Sequence, residues 1–126
     1  YAEAVVRVGA DAYLMGDAVL GLLGLGMVEP KRITVGVPRR TRPKDPGFVE
    51  IVERVVPPER LTTYKGIRAT TVADAIADAR ATVMTERLLD ALEEAKRANL
   101  IPGAEAARLR RMLTRGAGRR ATAGAS

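Results

Sequence analysis

The chain has no cysteine, no histidine and no tryptophan among its 126 residues. Without cysteine it cannot form disulfides or thiolate zinc sites, and this usage fits a reducing cytosol. Without histidine it lacks the commonest general base and metal ligand. A Ser or Thr nucleophile would need a lysine or a carboxylate to activate it, so the composition argues against nucleophilic catalysis.

Aromatic residues are also scarce and make up only 3% of the chain. The core must therefore be filled by Leu, Val, Ile, Met and Ala, and few side chains remain that could stack on unpaired bases. A chain of this length suits one domain, which can bury about two-thirds of its surface without a metal or a disulfide.

Long apolar runs are absent. The longest run, residues 18–28, has about half the length that a bilayer crossing needs, and no charged-then-apolar signal leads the chain. We therefore predict a cytoplasmic protein with no membrane partner. Because the sequence opens at Tyr1 and not at a methionine, we expect it to be part of a longer protein with a further domain upstream.

Acidic residues are outnumbered by basic ones in two parts of the chain. The net charge is +6 overall, with +6 over residues 31–68 and +5 over 102–126, against −3 over 1–30 and −2 over 69–101. Two basic blocks suggest an acidic partner, and nucleic acid before membrane, because no helix sets a basic face against large apolar residues. A second interpretation stays open, in which Arg and Lys only solubilise an alanine-rich surface.

Hydrophobic periodicity predicts an α+β domain over residues 1–115. Ile33, Val35 and Val37 alternate with smaller or polar residues, as in a half-buried strand, and Lys65-Gly66 separates two short β-prone runs, as in a hairpin. We predict a small antiparallel sheet of three to four strands packed with four to five helices. The predicted strands cover residues 32–37, 48–55, 61–64 and 67–70.

Apolar spacing of three and four residues predicts the helices. Thr71 would cap the third amide of one helix, and the next would be capped by Thr82 or Thr85 and closed at Asn99. The predicted helices begin near residues 2, 16, 72, 82 and 102 and end near 8, 24, 79, 99 and 115. Residues 116–126 lack large apolar side chains and are predicted to form a disordered tail.

The first candidate site is a basic loop after the strand at 32–37, which we call the basic loop (residues 38–46). Its prolines rule out helix and make a central strand unfavourable, so its cations must be solvated. A guanidinium group can donate two parallel hydrogen bonds to one phosphate. A charged loop can also serve only to keep the protein in solution. The candidate phosphate-binding residues in it are Arg39, Arg40, Arg42 and Lys44.

A second candidate site lies on the last predicted helix. Arg108, Arg111 and Arg115 share one face by their spacing, while Arg110 points elsewhere. This stripe could track a phosphate backbone, or it could be an ordinary solvated face. We group it with the basic loop as the candidate nucleic-acid-binding surface.

Carboxylate spacing offers little for catalysis. Asp74 and Asp78 lie four residues apart on one predicted helix, a spacing that could hold a metal or share a proton, but Asp74 already has a capping role and no third ligand is in view. We favour a structural role for both. We predict no catalytic residue, no metal site and no cofactor.

Four stretches of the sequence, in this order, resemble a known family: YLMGDAVLGLLGL, ITVGVPRR, VEIVERV and LTTYKGIRATTVADAI. They are similar to the region that follows the winged-helix domain in AbiEi-family antitoxins of bacterial type IV toxin–antitoxin systems. The resemblance covers residues 1–79. In that family the winged helix binds the promoter of its own operon, the C-terminal domain supplies antitoxicity and helps repression, and the toxin is a nucleotidyltransferase.

The resemblance implies that this chain is the C-terminal part of such an antitoxin. Its partner would then be promoter DNA, through a missing N-terminal domain, and the resemblance leaves open whether it also binds the nucleotidyltransferase toxin directly. The resemblance implies no catalytic residue in this chain. An alternative function is a DNA-binding accessory domain of a transcriptional regulator that uses the basic loop for phosphate contacts.

Overall fold

The structure is a computed structural model that describes residues 1–39 and 47–125, with side chains described as far as Arg115. It confirms the α+β class. Among the described residues, five strands form one sheet and five α-helices surround it. The strands are β1 (Tyr13–Leu14), β2 (Ile33–Val37), β3 (Val49–Glu53), β4 (Leu61–Tyr64) and β5 (Ile67–Thr70), and the helices are α1 (Ala2–Val8), α2 (Asp17–Leu23), α3 (Val72–Asp78), α4 (Thr85–Arg97) and α5 (Gly103–Ala125).

The prediction of an antiparallel sheet of three to four strands is wrong. The sheet is mixed, with strand order β3-β2-β1-β5-β4. β1 pairs with β2 and β4 with β5 in antiparallel fashion, whereas β2 with β3 and β1 with β5 are parallel. The difference arises because β1, a strand of two residues, enters the middle of the sheet and separates the two halves that the sequence pattern suggested.

The central strand β1 shows that both faces of the sheet are covered. Successive strand residues point to opposite faces, and both Tyr13 and Leu14 are buried. The Tyr13 ring lies against Gly36 on the neighbouring strand, where any Cβ would collide with it. The Tyr13 hydroxyl then donates a hydrogen bond to the Arg54 carbonyl. This close approach ties β1 to β2 and to the end of β3.

The pairing of β2 and β3 is parallel and not antiparallel as predicted, so the basic loop must connect opposite ends of the two strands. The register sets Ile33 beside Val49 and Val37 beside Glu53, so the connection leaves β2 at one end of the strand pair and enters β3 at the other. A hairpin tip is therefore excluded for this connection. Its residues 40–46 lie outside the described part of the chain.

The predicted β4–β5 hairpin is confirmed. Tyr64 pairs with Ile67 across the two-residue turn Lys65-Gly66, and both turn residues have positive φ, of 51° and 79°. This is the turn type whose twist matches that of the flanking strands.

Two helix ends also follow the local chemistry of the sequence. The Thr71 hydroxyl accepts a hydrogen bond from the Asp74 amide at 3.4 Å and caps α3 as predicted. At the end of α4, Asn99 has φ of 58° and the Leu100 amide donates to the Ala95 carbonyl at 2.9 Å, which closes the helix with a left-handed residue.

The predicted cap of α4 is wrong. Its N-cap residue is Met84, and no side chain accepts a hydrogen bond there. The Thr82 hydroxyl instead donates to the Asp17 carboxylate at 3.4 Å. A threonine that local sequence assigns to a helix end thus belongs to a tertiary contact.

The last helix, α5, continues through Ala125 and so extends beyond the end predicted at Arg115. Among its described side chains, which extend to Arg115, the last buried one is Leu113. The disorder predicted for residues 116–126 in solution stays a prediction. No helix in the described ranges is both long enough and apolar enough to cross a bilayer.

Candidate functional site

The basic loop is described only at its start. Arg39 follows Pro38 at the end of β2, is exposed, and has no hydrogen-bond or ion-pair partner among the residues that the structure describes. Beside it lies a recess of about 110 Å³ whose lining includes Val8, Asp11 and Pro38. The other predicted residues of this loop, Arg40, Arg42 and Lys44, lie outside the described residues.

The predicted stripe on α5 is exposed, and its members differ in their partners. Arg108 forms an ion pair with Glu105 at 3.6 Å. Arg115 Nε donates to the Arg111 carbonyl at 3.3 Å, and within the described ranges neither guanidinium is paired with an acid. Arg110 lies apart from the stripe and pairs with Glu93 of α4 at 2.6 Å. Arg111 and Arg115 therefore offer positive charge to solvent.

Within the described ranges, Arg39 and the α5 stripe lie beside different elements. Arg39 borders the end of α1, whereas α5 packs on α3 and α4. No hydrogen bond or ion pair in the described part of the chain links Arg39 to α5. The two surfaces must be treated as separate candidate sites.

Asp74 and Asp78 are each held by an arginine from outside their helix. Arg60 reaches Asp74 at 3.0 Å, and Arg54 reaches Asp78 at 2.9 Å. Burial raises the pKa of the Asp74 carboxyl, while the nearby Arg60 charge opposes the rise. Because each carboxylate has its own cation, the two do not converge on a shared proton or metal.

Arg60 also contacts Glu105 at 3.5 Å, so one side chain joins the start of β4 to both α3 and α5. Its side chain is 41% exposed, and ion pairs at that exposure contribute little to stability. The network contacts the first turn of α5 through Glu105, which lies before the arginine stripe begins at Arg108.

A cleft that the sequence patterns did not indicate lies where α2 begins, on the Thr34 side of the sheet. It has a volume of about 640 Å³. At its base, the half-buried Asp17 carboxylate accepts hydrogen bonds from the hydroxyls of Thr34 and Thr82, both at 3.4 Å. Burial raises the pKa of Asp17, the Glu50 charge adds to the rise, and the two hydroxyls oppose it.

The rim of this cleft is both charged and apolar. Arg32 donates to the Val49 carbonyl at 2.6 Å, and Arg87 donates to the Met27 carbonyl at 3.1 Å. Two methionines on the rim are exposed, Met27 by 80% and Met84 by 62%. Thioether side chains at such positions adapt to varied partner shapes, so the rim suits a binding surface.

The cleft could not be read from sequence because its carboxylate, hydroxyls and cations come from four separate segments. In the local sequence, Asp17 is typical of a helix start and Thr82 of a helix cap. Only the fold brings the two side chains into contact. In the described part of the chain, no group of three or more Asp and Glu residues could hold a metal ion.

Comparison with protein-family models, with curated proteins and with solved structures gave no match. The similarity to AbiEi-family antitoxins therefore rests on the four sequence stretches alone.

Proposed function

We propose that this chain is an antitoxin domain of a type IV toxin–antitoxin system, which counteracts a nucleotidyltransferase toxin and contributes to repression of its own operon. The observation that supports this proposal is the ordered set of four sequence stretches. They correspond to β1 with α2, to β2, to β3, and to the β4–β5 hairpin with α3. These elements comprise the whole sheet and two of its helices, so the resemblance covers one connected unit of the fold.

We infer a binding role and not a catalytic one. The carboxylates of Asp74 and Asp78 are each paired with an arginine, and Asp17 is held by two threonine hydroxyls. Such pairing suits structural or binding functions, because a general base must have its acceptor available to a substrate. Surfaces that could contact a macromolecule are present at the α5 stripe and at the cleft rim.

The proposal is tested by co-expression with a nucleotidyltransferase encoded beside this chain. We expect the chain to restore growth of cells that express the toxin. Val35→Asp serves as the unfolded control, because it places a carboxylate at a position that is 0% exposed, and it should not rescue. Continued cell death in the presence of stably expressed wild-type chain would contradict the proposal for this domain.

A second candidate function is a DNA-binding accessory domain of a transcriptional regulator. It is supported by the exposed guanidinium groups of Arg111 and Arg115, which have no acidic partner among the described residues. When arginines of this kind bind DNA phosphates, the counterions held by those phosphates are released, and binding therefore weakens as the salt concentration rises.

This second function is tested by the salt dependence of binding to promoter DNA. Arg111→Gln with Arg115→Gln should flatten the slope of log affinity against log salt by about two, because each phosphate contact contributes about one. Arg110→Gln is the matched control, since that residue is engaged by Glu93, and should leave the slope unchanged. Neutralising Arg39, Arg40 and Arg42 tests the basic loop in the same way, and an unchanged slope would remove it from the interface.

A further inference from the structure

β3 forms one edge of the sheet, and its ladder leaves half of its backbone groups facing outward. The Ile33 amide donates to the Phe48 carbonyl at 2.7 Å, and the Arg54 amide donates to the Val37 carbonyl at 2.8 Å. In a parallel pair such bonds involve every second residue. The amides and carbonyls of Val49, Ile51 and Glu53 therefore point away from β2.

These outward groups are almost all unpaired. Arg32 donates to the Val49 carbonyl at 2.6 Å. The amides and carbonyls of Ile51 and Glu53 have no hydrogen-bond partner in the part of the chain that the structure describes, and they form the accessible part of this edge because Val49 is only 1% exposed. A row of unpaired donors and acceptors at a sheet edge is a template for a further strand.

The side chains of β3 define what kind of strand would fit. On one face Ile51 and Glu53 follow the buried Val49, while on the other face Glu50 borders the cleft that holds Asp17 and is followed by Val52. Glu50 and Glu53 are exposed, and neither has an ion-pair partner among the described residues. The middle of the edge thus presents the apolar side chain of Ile51 on one face and the unpaired carboxylate of Glu50 beside the cleft on the other, and the carboxylate of Glu53 lies at the end of the strand.

We propose that the β3 edge binds an extended peptide segment in which apolar and basic residues alternate. The segment adds to the sheet as a sixth strand. Its apolar side chains pack beside Ile51, and its basic side chains lie beside Glu50 at the mouth of the cleft. This binding site does not depend on the proposed antitoxin function, since it follows from the edge and its charges alone.

The opposite edge of the sheet provides an internal comparison. Across the hairpin, Tyr64 and Ile67 form the pair that closes the turn, so Leu61 and Thr63 of β4 point their backbone groups outward. β4 is shorter than β3 and carries no acidic side chain. A basic segment should therefore select β3 over β4.

The experiment uses the full chain and an acetylated, amidated peptide of alternating Val and Arg. Titration followed by amide NMR should shift the signals of Ile51 and Glu53 and protect these amides from exchange. Glu50→Lys should weaken binding at least tenfold. A peptide of alternating Val and Glu should bind at least tenfold more weakly to the wild-type chain.

Backbone pairing is tested with proline. Ile51→Pro removes an outward amide that the β2–β3 ladder does not use, and should weaken binding at least tenfold. Thr63→Pro makes the same change at the β4 edge and should leave binding unchanged. If Ile51→Pro fails to fold, a peptide N-methylated at alternate residues makes the same test on the wild-type chain, and it should bind at least tenfold more weakly.

Several results would overturn the proposal. One is equal binding of the N-methylated and unmodified peptides, which would indicate contact through charge without strand addition. Others are an unchanged affinity in Glu50→Lys, shifts confined to α5 or β4, or no detectable binding of the Val and Arg peptide.

Discussion

Thr70 places a hydroxyl in the core of the sheet. The residue is 1% exposed, and its Oγ1 has no hydrogen-bond partner in the described structure. Burying a hydroxyl without a partner is unfavourable, whereas a methyl group of the same shape would be favourable. We expect Thr70→Val to raise the free energy of unfolding by about 1–2 kcal/mol, as measured by urea denaturation.

The control for this substitution is Thr63→Val on the exposed part of β4. It should change the free energy of unfolding by no more than about 0.5 kcal/mol. A loss of stability in Thr70→Val would show that the buried hydroxyl does make a hydrogen bond.

Asp17 links stability to pH. Burial raises the pKa of its carboxyl above the ordinary value of 3.8, so the folded state holds its proton to a higher pH than the unfolded state does. This contribution to stability is therefore lost as pH rises from the ordinary pKa through the raised one. Asp17→Asn cannot ionise, and we expect it to be more stable than wild type at neutral pH, with the difference shrinking as pH falls towards 4.

Thermal unfolding between pH 3 and pH 7 measures this effect. Asp11→Asn, at an exposed position, is the control and should follow the wild-type pH profile. A profile of Asp17→Asn that runs parallel to wild type would contradict the role given to burial.

At the scale of single elements, α3 depends on its cap. It has only seven residues, and a helix this short is marginal without tertiary packing and capping. The Thr71 hydroxyl satisfies one of its first amides, so Thr71→Ala should lower the free energy of unfolding by about 0.5–2 kcal/mol. Chemical denaturation measures the loss.

Thr71→Ser provides the matched control, because serine keeps the accepting oxygen. It should retain most of the stability. Equal losses in the serine and alanine variants would assign the effect to the threonine methyl group and not to the cap.

Elements that depend on local chemistry could be predicted from sequence. The bounds of β4 and β5 match the prediction because Lys65-Gly66 supports the positive φ that a two-residue hairpin needs. Thr71 and Asn99 likewise act within a few residues of their own positions. In each case, the residue that determines the local structure lies within the segment whose structure it determines.

Elements that depend on distant partners could not be predicted. β1 has two residues, and its Leu14 fits the apolar spacing of α2 equally well, so the strand leaves no periodic signal. The parallel pairing of β2 with β3 follows from the position of β1, which the sequence pattern does not contain. Thr82 satisfies the rules for a cap and yet contacts Asp17.

The candidate sites also include features that local sequence predicts and features that only the fold reveals. The separation of Arg110 from the other α5 arginines follows from helical spacing, and its contact with Glu93 agrees. The cleft around Asp17 and the open edge of β3 require the strand order. Sequence thus indicated where charge is concentrated, and the fold determines which charges are neutralised.

At the scale of the whole molecule, one core joins the sheet to the α4–α5 pair. Leu88 and Leu92 of α4 belong to the same buried cluster as Val35 of the sheet and Leu109 of α5. A shared core predicts that both parts unfold together. We expect Leu92→Ala to lower the free energy of unfolding by about 2–5 kcal/mol while unfolding remains a single transition.

Two probes test this cooperativity. Tyrosine fluorescence reports largely on the sheet through Tyr13 and Tyr64, and far-UV circular dichroism reports on the helices, of which α4 and α5 are the longest. Their midpoints should shift together in Leu92→Ala. Met84→Ala, at a side chain that is 62% exposed, should leave both in place. Separate midpoints for the two signals would show that α4 and α5 unfold independently.

The parallel pairing of β2 and β3 sets a minimum length for the chain between them. Each strand has five residues, so the connection must cover about 16 Å, the length of five extended residues, before β3 can begin. Replacing it by a tight two-residue turn would force the second strand to reverse direction and would make its pairing with β2 antiparallel. Shortening of this connection by engineering is therefore limited by the distance that it must cover.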